Sequence, residues 1–174
     1  NAAPLEDFAR IINVNLMGVV HGCYHFLPLM LAAGGPRQVV NVSSTASYAP
    51  SPSMASYAAS KFAVAGFCDV LRMELHGSQI GVTDVCPGVI NTAITASGAA
   101  PSMQGEQIQR LQAYYIREGC SPDVVANDVV NAVMAGKTLV LTGPYSRLLH
   151  HLKRVSRRLL FRLTVKTAPK LGYL

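Results

Sequence analysis

Three strand-length runs of apolar, mostly β-branched residues constrain this chain more than any other feature: Gln38 to Ser43, Gly81 to Cys86 and Thr138 to Leu141. Valine and leucine occupy adjacent positions within them, as in Val39-Val40 and Leu139-Val140-Leu141, rather than alternate ones. Strands that are apolar on both faces need cover on both faces, and a parallel sheet between two layers of helices supplies it. Segments of helical length separate the runs. Strand, helix, strand, helix, strand in this form predicts an α/β fold with a doubly wound parallel sheet. Half of the 174 residues are hydrophobic, which suffices for one compact core and excludes a disordered chain.

Punctuation between the runs places the helices. Pro4-Leu5-Glu6-Asp7 opens the first, with proline and acids in the first turn, and its apolar pattern runs to Leu31 before Gly34-Gly35-Pro36 stops it. Asn13, Asn15, His21, His25 and Pro28 interrupt that stretch, so it is not expected to span a bilayer. A second helix is expected from about Ser56 to Leu75 and a polar one from Gln104 to Arg117. Ser121-Pro122-Asp123 reads as cap, first helical residue and dipole-matched acid for a helix ending at Gly136. Val89 to Ser102 is a long loop of small residues. With Tyr114, Tyr115 and Ile116 beyond it, the region to Cys120 suggests an apolar lid.

In open α/β sheets, ligands collect beyond the carboxyl ends of the strands. Ser44 follows the first strand, and Pro87-Gly88 ends the second. Tyr57 and Lys61 lie four residues apart at the start of the intervening helix, which puts both side chains on one face. A free phenol titrates near about 10, too high for ready proton exchange at neutral pH, and a neighbouring ammonium favours its ionised form. The pair therefore predicts a general acid/base with a lowered tyrosine pKa, and the Ser44 hydroxyl can hold a substrate oxygen. Tyr-x-x-x-Lys alone is a weak signal, common on exposed helices. Its place between two strand ends gives it weight.

The run VVNVSSTAS, then YAASKFAV, then CPGVINT resembles, in order and spacing, the serine, Tyr-x-x-x-Lys and Pro-Gly segments of the short-chain dehydrogenase/reductase family. INVNLMGVV is similar to that family's catalytic-asparagine segment. The resemblance covers residues 1 to about 145 and leaves residues 146–174 as a basic amphipathic extension. It implies a Rossmann-type oxidoreductase that moves a hydride between NAD or NADP and a secondary alcohol or ketone. It further implies that Tyr57 passes the proton and Ser44 positions the substrate oxygen. Lys61 would lower the Tyr57 pKa and bond the nicotinamide ribose, and Asn15 would hold a water of the proton relay. Pro87, Gly88, Ile90 and Thr92 would frame the nicotinamide carboxamide. The family's first strands, its glycine-rich phosphate loop and the residue that chooses between NAD and NADP are expected upstream of residue 1. Gly34-Gly35 precedes a strand and does not replace that loop. A module that keeps the fold and binds or regulates without turnover is the open alternative.

Charge divides the chain unevenly. Up to Asp128 there are nine acidic and six basic residues; beyond it there are nine basic residues and no acid. From Arg147 to Lys166, apolar residues at 148, 152, 155, 159 and 163 recur among arginines and lysines, which predicts one basic amphipathic helix. Packing on its own domain or a neighbouring subunit is one reading of this tail, and peripheral contact with anionic membrane is another. Nucleic acid is not expected, because no aromatic interleaving or binding motif accompanies the charge. The run TGPYSRLLHHLKRVSRRL is similar to the tail of bacterial family members that act on apolar carbonyl or alcohol substrates, some fused behind an α/β-hydrolase domain. His21 and His25 lack a third ligand, so no metal is expected. The four dispersed cysteines read as buried thiols of a cytosolic protein. The first two helices are apolar around more than one face; in the family they form the main subunit interface, which implies a homodimer or homotetramer.

Overall fold

The computed structural model describes residues 4–95, 103 and 105–174. Its sheet consists of three parallel strands in the order β1 (Arg37–Val42), β2 (Ile80–Pro87) and β3 (Leu139–Thr142). Val42 pairs with Val85 and Cys86 with Leu141, so the three carboxyl ends finish side by side. Parallel neighbours need a crossover, normally helical. The helix α3 (Ala55–Glu74) joins β1 to β2, while α4 (Gly105–Glu118) and α5 (Pro122–Met134) lie between β2 and β3. The Ser121 hydroxyl accepts the Asp123 N–H at 3.2 Å and Pro122 takes the first helical position, as the sequence predicts.

Side-chain alternation along each strand separates two cores. Val39 and Val82 face the layer formed by α3 and by α2 (Gly18–Ala33), against Cys23, Val64, Cys68 and Leu71. Val40, Val85 and Val140 face the other way, onto Val125, Val129 and Ala132 of α5. Helices thus cover both faces, which is the doubly wound arrangement. The four cysteines are free thiols. Cys23 and Cys68 flank Asn41, whose amide donates to the Cys68 sulfur at 3.4 Å.

Two helical segments depart from expectation. The first is a continuous helical path of 29 residues, Leu5–Ala33, with mean hydropathy 1.5 in its most apolar window, so by length and composition it is sufficient to cross a membrane. The polar residues do not interrupt it. Here it serves as a layer of the fold, with Leu16, Val19, Cys23 and Leu27 packed on the sheet-side core. Between α1 (Leu5–Ile12) and α2 it widens into a π segment, Asn13–Met17.

The tail is two helices rather than one: α6 (Ser146–Val155) and α7 (Arg157–Leu171). Ser156 is extended between them, and its hydroxyl accepts the Leu159 N–H at 3.1 Å, so one residue ends α6 and caps α7. A Schellman turn closes α7. Gly172 has φ +84°, its N–H bonds the Pro169 carbonyl, and the Tyr173 N–H reaches back to the Ala168 carbonyl at 2.9 Å. That turn sends Tyr173 into a cluster with Met103, Leu111 and Ala168. In the expected lid, a short 3₁₀ turn occupies Ala93–Thr95. Residues 96–102 and Gln104, where the polar helix is expected to begin, lie outside the described residues.

Candidate active site

Beyond β1 the backbone carries two serines with different tasks. Ser43 donates its hydroxyl to the Val85 carbonyl at 3.2 Å, back into the sheet. Ser44 is fully extended, and its hydroxyl accepts the Ala46 N–H at 3.1 Å, starting the 3₁₀ turn Thr45–Ser47. Tyr48 then anchors the loop. Its buried hydroxyl lies 2.8 Å from the Ser146 hydroxyl, which donates to the Cys86 carbonyl at 2.9 Å. This staple ties the end of β1 to the end of β2 and the start of α6.

Tyr57 stands in the first turn of α3, and Lys61 follows one turn later. The Tyr57 and Ser44 side chains line one cavity. The Lys61 ammonium donates to the Val42 carbonyl at 3.0 Å and lies 5.7 Å from the centroid of the Tyr57 ring. A cavity of about 250 Å³ opens over these groups. Ser44, Tyr57, Lys61, Pro87, Gly88, Ile90 and Thr92 line it. The rest of the lining includes Met103, Leu111 and Tyr173, which belong to one apolar cluster, and Tyr115, which packs against that cluster.

The end of β2 is shaped by glycine. A Cβ on Gly88 would overlap the Pro144 carbonyl, so only glycine lets the two loops meet. Ile90 forms an isolated parallel bridge with Cys120, in which the Asn91 N–H and the Val89 carbonyl make the bonds. In such a bridge the Ile90 N–H and carbonyl point away from the partner. The Thr92 hydroxyl accepts the Ile94 N–H at 3.4 Å and keeps its own proton to donate. A backbone donor and acceptor at Ile90, a hydroxyl at Thr92 and an ammonium at Lys61 suit a ligand bearing a carboxamide and sugar hydroxyls.

Asn15 does not line the cavity. It lies in the π segment, and its amide donates to the Ser60 hydroxyl at 3.1 Å; Ser60, fully buried, donates to the Tyr57 carbonyl at 2.7 Å. Asn15 therefore braces the first turn of α3 from behind. π-Bulges often occur at functional sites.

Electrostatics correct one expectation. Lys61 is not what sets the Tyr57 pKa here: burial raises it above the ordinary phenol range, and the neighbouring Ser44 side chain opposes the rise in part. Burial likewise lowers the Lys61 pKa, opposed by the negative charge of Asp84. Loss of water outweighs a cation that stands off the ring and spends a donor on Val42. Tyr57 is thus held protonated. Asp84, buried on β2, has its own pKa raised, first by burial, and its Oδ1 has no hydrogen-bond partner among the described residues.

Sequence reasoning missed Tyr173, Met103 and Leu111 as cavity residues. Leu171-Gly172-Tyr173 did carry a signal, since glycine followed by an apolar residue at a helix end is the mark of a Schellman turn. Nothing local in the sequence indicates what that residue packs against.

The model of the short chain dehydrogenase family matches residues 1–101, more than half of the chain. The chain belongs to the short-chain dehydrogenase/reductase family. Among its relatives is the "Probable oxidoreductase EphD" of Mycobacterium tuberculosis (strain ATCC 25618 / H37Rv), 38% identical over 158 residues that make up 87% of this chain and 27% of EphD. A short chain dehydrogenase/reductase from Burkholderia phymatum, solved in complex with NAD, is 28% identical with a TM-score of 0.73, over 88% of this chain and 60% of that one. A short chain dehydrogenase from Burkholderia cenocepacia J2315, solved with NADP, shares the fold at a TM-score of 0.74 and 22% identity, over 94% of this chain and 61% of that one. The chain thus spans about a quarter of its relative EphD and about three-fifths of either solved chain.

Proposed function

We propose that the protein containing this chain transfers a hydride between NAD or NADP and an apolar secondary alcohol or ketone. The observation that carries this reading is that Ser44 and Tyr57 line one cavity, with Lys61 one helical turn on. Ser44 holds the substrate oxygen. Tyr57, protonated because it is buried, gives its proton to that oxygen as the ketone is reduced and takes it back when the alcohol is oxidised. A bound nicotinamide supplies or accepts the hydride. Lys61 would hold its ribose, and Ile90 and Thr92, beside Pro87 and Gly88, would hold its carboxamide. Asn15, through Ser60, keeps the first turn of α3 in register with the strand ends.

Tyr57→Phe in the complete protein tests the assignment. The ring stays and only the proton route goes, so turnover should fall by about 10²–10⁴-fold with cofactor binding nearly unchanged. Steady-state ketone reduction and a cofactor titration measure the two; near-normal turnover rejects the reading.

Two surfaces extend it. Tyr24, Phe26 and Leu29 of α2 are exposed and suit self-association into a homodimer or homotetramer. On α6 and α7, Leu148, Val155 and Phe161 are exposed beside Arg147, Arg154 and Arg158, a combination that suits peripheral contact with anionic membrane.

A further inference from the structure

A second cavity, of about 400 Å³, adjoins the first. Thr45, Ala49, Ser51, Gly88, Tyr115 and Tyr173 line both, so the two are neighbouring chambers with shared walls. Tyr115 and Tyr173 stand at their junction with hydroxyls 3.4 Å apart. The outer chamber is lined from α7 by Thr164, Thr167, Ala168 and Leu171 and from α6 by Leu149, with Arg117 and Glu118 of α4 also in its lining.

The reaction chamber is small. At about 250 Å³ it falls below the roughly 300–1,000 Å³ of ordinary small-molecule sites. On the proposed function, a nicotinamide ring shares that space with the substrate. Whatever extends beyond the reacting carbon must find room elsewhere, and the outer chamber is adjacent.

Tyr173 is placed there by construction. The Schellman turn at Gly172 aims it inward, and its carbonyl accepts the Ser53 hydroxyl at 2.8 Å, tying the end of α7 to the loop before α3. A Cβ on Gly172 would lie 2.5 Å from the Gln107 carbonyl and 2.8 Å from the Leu111 nitrogen, so α7 meets α4 backbone to backbone. The phenol pair is the looser part. A contact of 3.4 Å is at the edge of hydrogen bonding, so a substrate that offers the two hydroxyls another partner can part the rings.

We infer that Tyr115 and Tyr173 form an internal partition through which the chain of an elongated apolar alcohol or ketone passes, its oxygen at Ser44 and Tyr57 and its tail along α7. The inference rests on the proposed oxidoreductase reading for the position of the oxygen. It makes α7 the wall that sets substrate length, and Tyr115 with Tyr173 the specificity-determining pair.

The test is a series of secondary alcohols of increasing chain length, bound to the complete protein with NAD or NADP and followed by titration calorimetry, with turnover measured in parallel. Each methylene buried in the outer chamber should strengthen binding by about fourfold. Thr164→Trp, which fills that chamber from α7, should flatten this slope and leave the shortest alcohols unaffected. Thr167→Phe, on the same wall, gives a second route should the first variant fold poorly. An unchanged slope in a folded variant, or no dependence on length in wild type, overturns the inference. The two readouts separate the claims. A length slope without turnover at any length rejects the oxidoreductase reading and leaves the chamber standing, while turnover without a slope removes the chamber alone.

Discussion

The wall that carries Ser44, Tyr57 and Lys61 is built from neighbours in sequence, one strand end and the first turns of the next helix, whereas the facing wall joins Tyr115 of α4 to Tyr173, 58 residues further on. The first is stapled to the sheet through Tyr48, Ser146 and the Cys86 carbonyl. The second rests on a satellite cluster of Met103, Leu111, Ala168 and Tyr173, apart from both faces of the sheet. Groups meant to hold a reacting atom need rigid support, while selectivity can be carried by elements that vary and move. On the proposed function, the contrast puts chemistry on one wall and substrate choice on the other.

That division can be broken by experiment. Tyr57→Phe carries the largest expected effect, and because it touches only the reaction wall, the loss should be equal for short and long substrates. A loss that grows with substrate length would merge the two walls into one.

Gly172→Ala strikes the opposite wall. A left-handed backbone disfavours alanine, and the added methyl meets backbone atoms of α4. The docking of α7 should weaken by roughly 2–4 kcal/mol. Hydrogen exchange should show the amides of α7 opening, with those of β2 and α3 still protected. Equal protection throughout would mean that the tail is not held by this contact.

The smallest effect belongs to the outer face of α7. Replacing Arg158 and Arg162 with glutamate should remove about 1 kcal/mol of anionic-vesicle affinity for each cation lost. The change should fade as salt is raised and leave reduction of a soluble ketone intact. Flotation at low and high salt measures it, and equal partitioning of both proteins at low salt removes the membrane proposal.

Much of the first wall was legible in the sequence. β1 was expected over Gln38 to Ser43 and occupies Arg37–Val42, and the cap at Ser121 stands where its side chain and Pro122 require. Strand runs and caps are local, so composition reveals them. What escaped was not local. The π segment around Asn15 comes from a change in hydrogen-bond spacing that no residue type announces. The break at Ser156 lies in a pattern whose apolar period continues across it, with no glycine or proline to mark it. The upward pull on Tyr57 depends on burial, which only the assembled cavity supplies.

The central claim is that Tyr57 exchanges its proton with the substrate oxygen, and the pH dependence of kcat/KM in both directions tests it most directly. Burial keeps the phenol protonated at neutral pH. Ketone reduction, which needs the acid, should therefore be full at neutral pH and fall on the alkaline side, while alcohol oxidation, which needs the phenolate, should rise through the same ionisation. In Tyr57→Phe the residual rates should show neither limb. Mirror-image profiles that vanish in the variant are the predicted result; profiles that persist in Tyr57→Phe would assign the proton to another group and contradict the account.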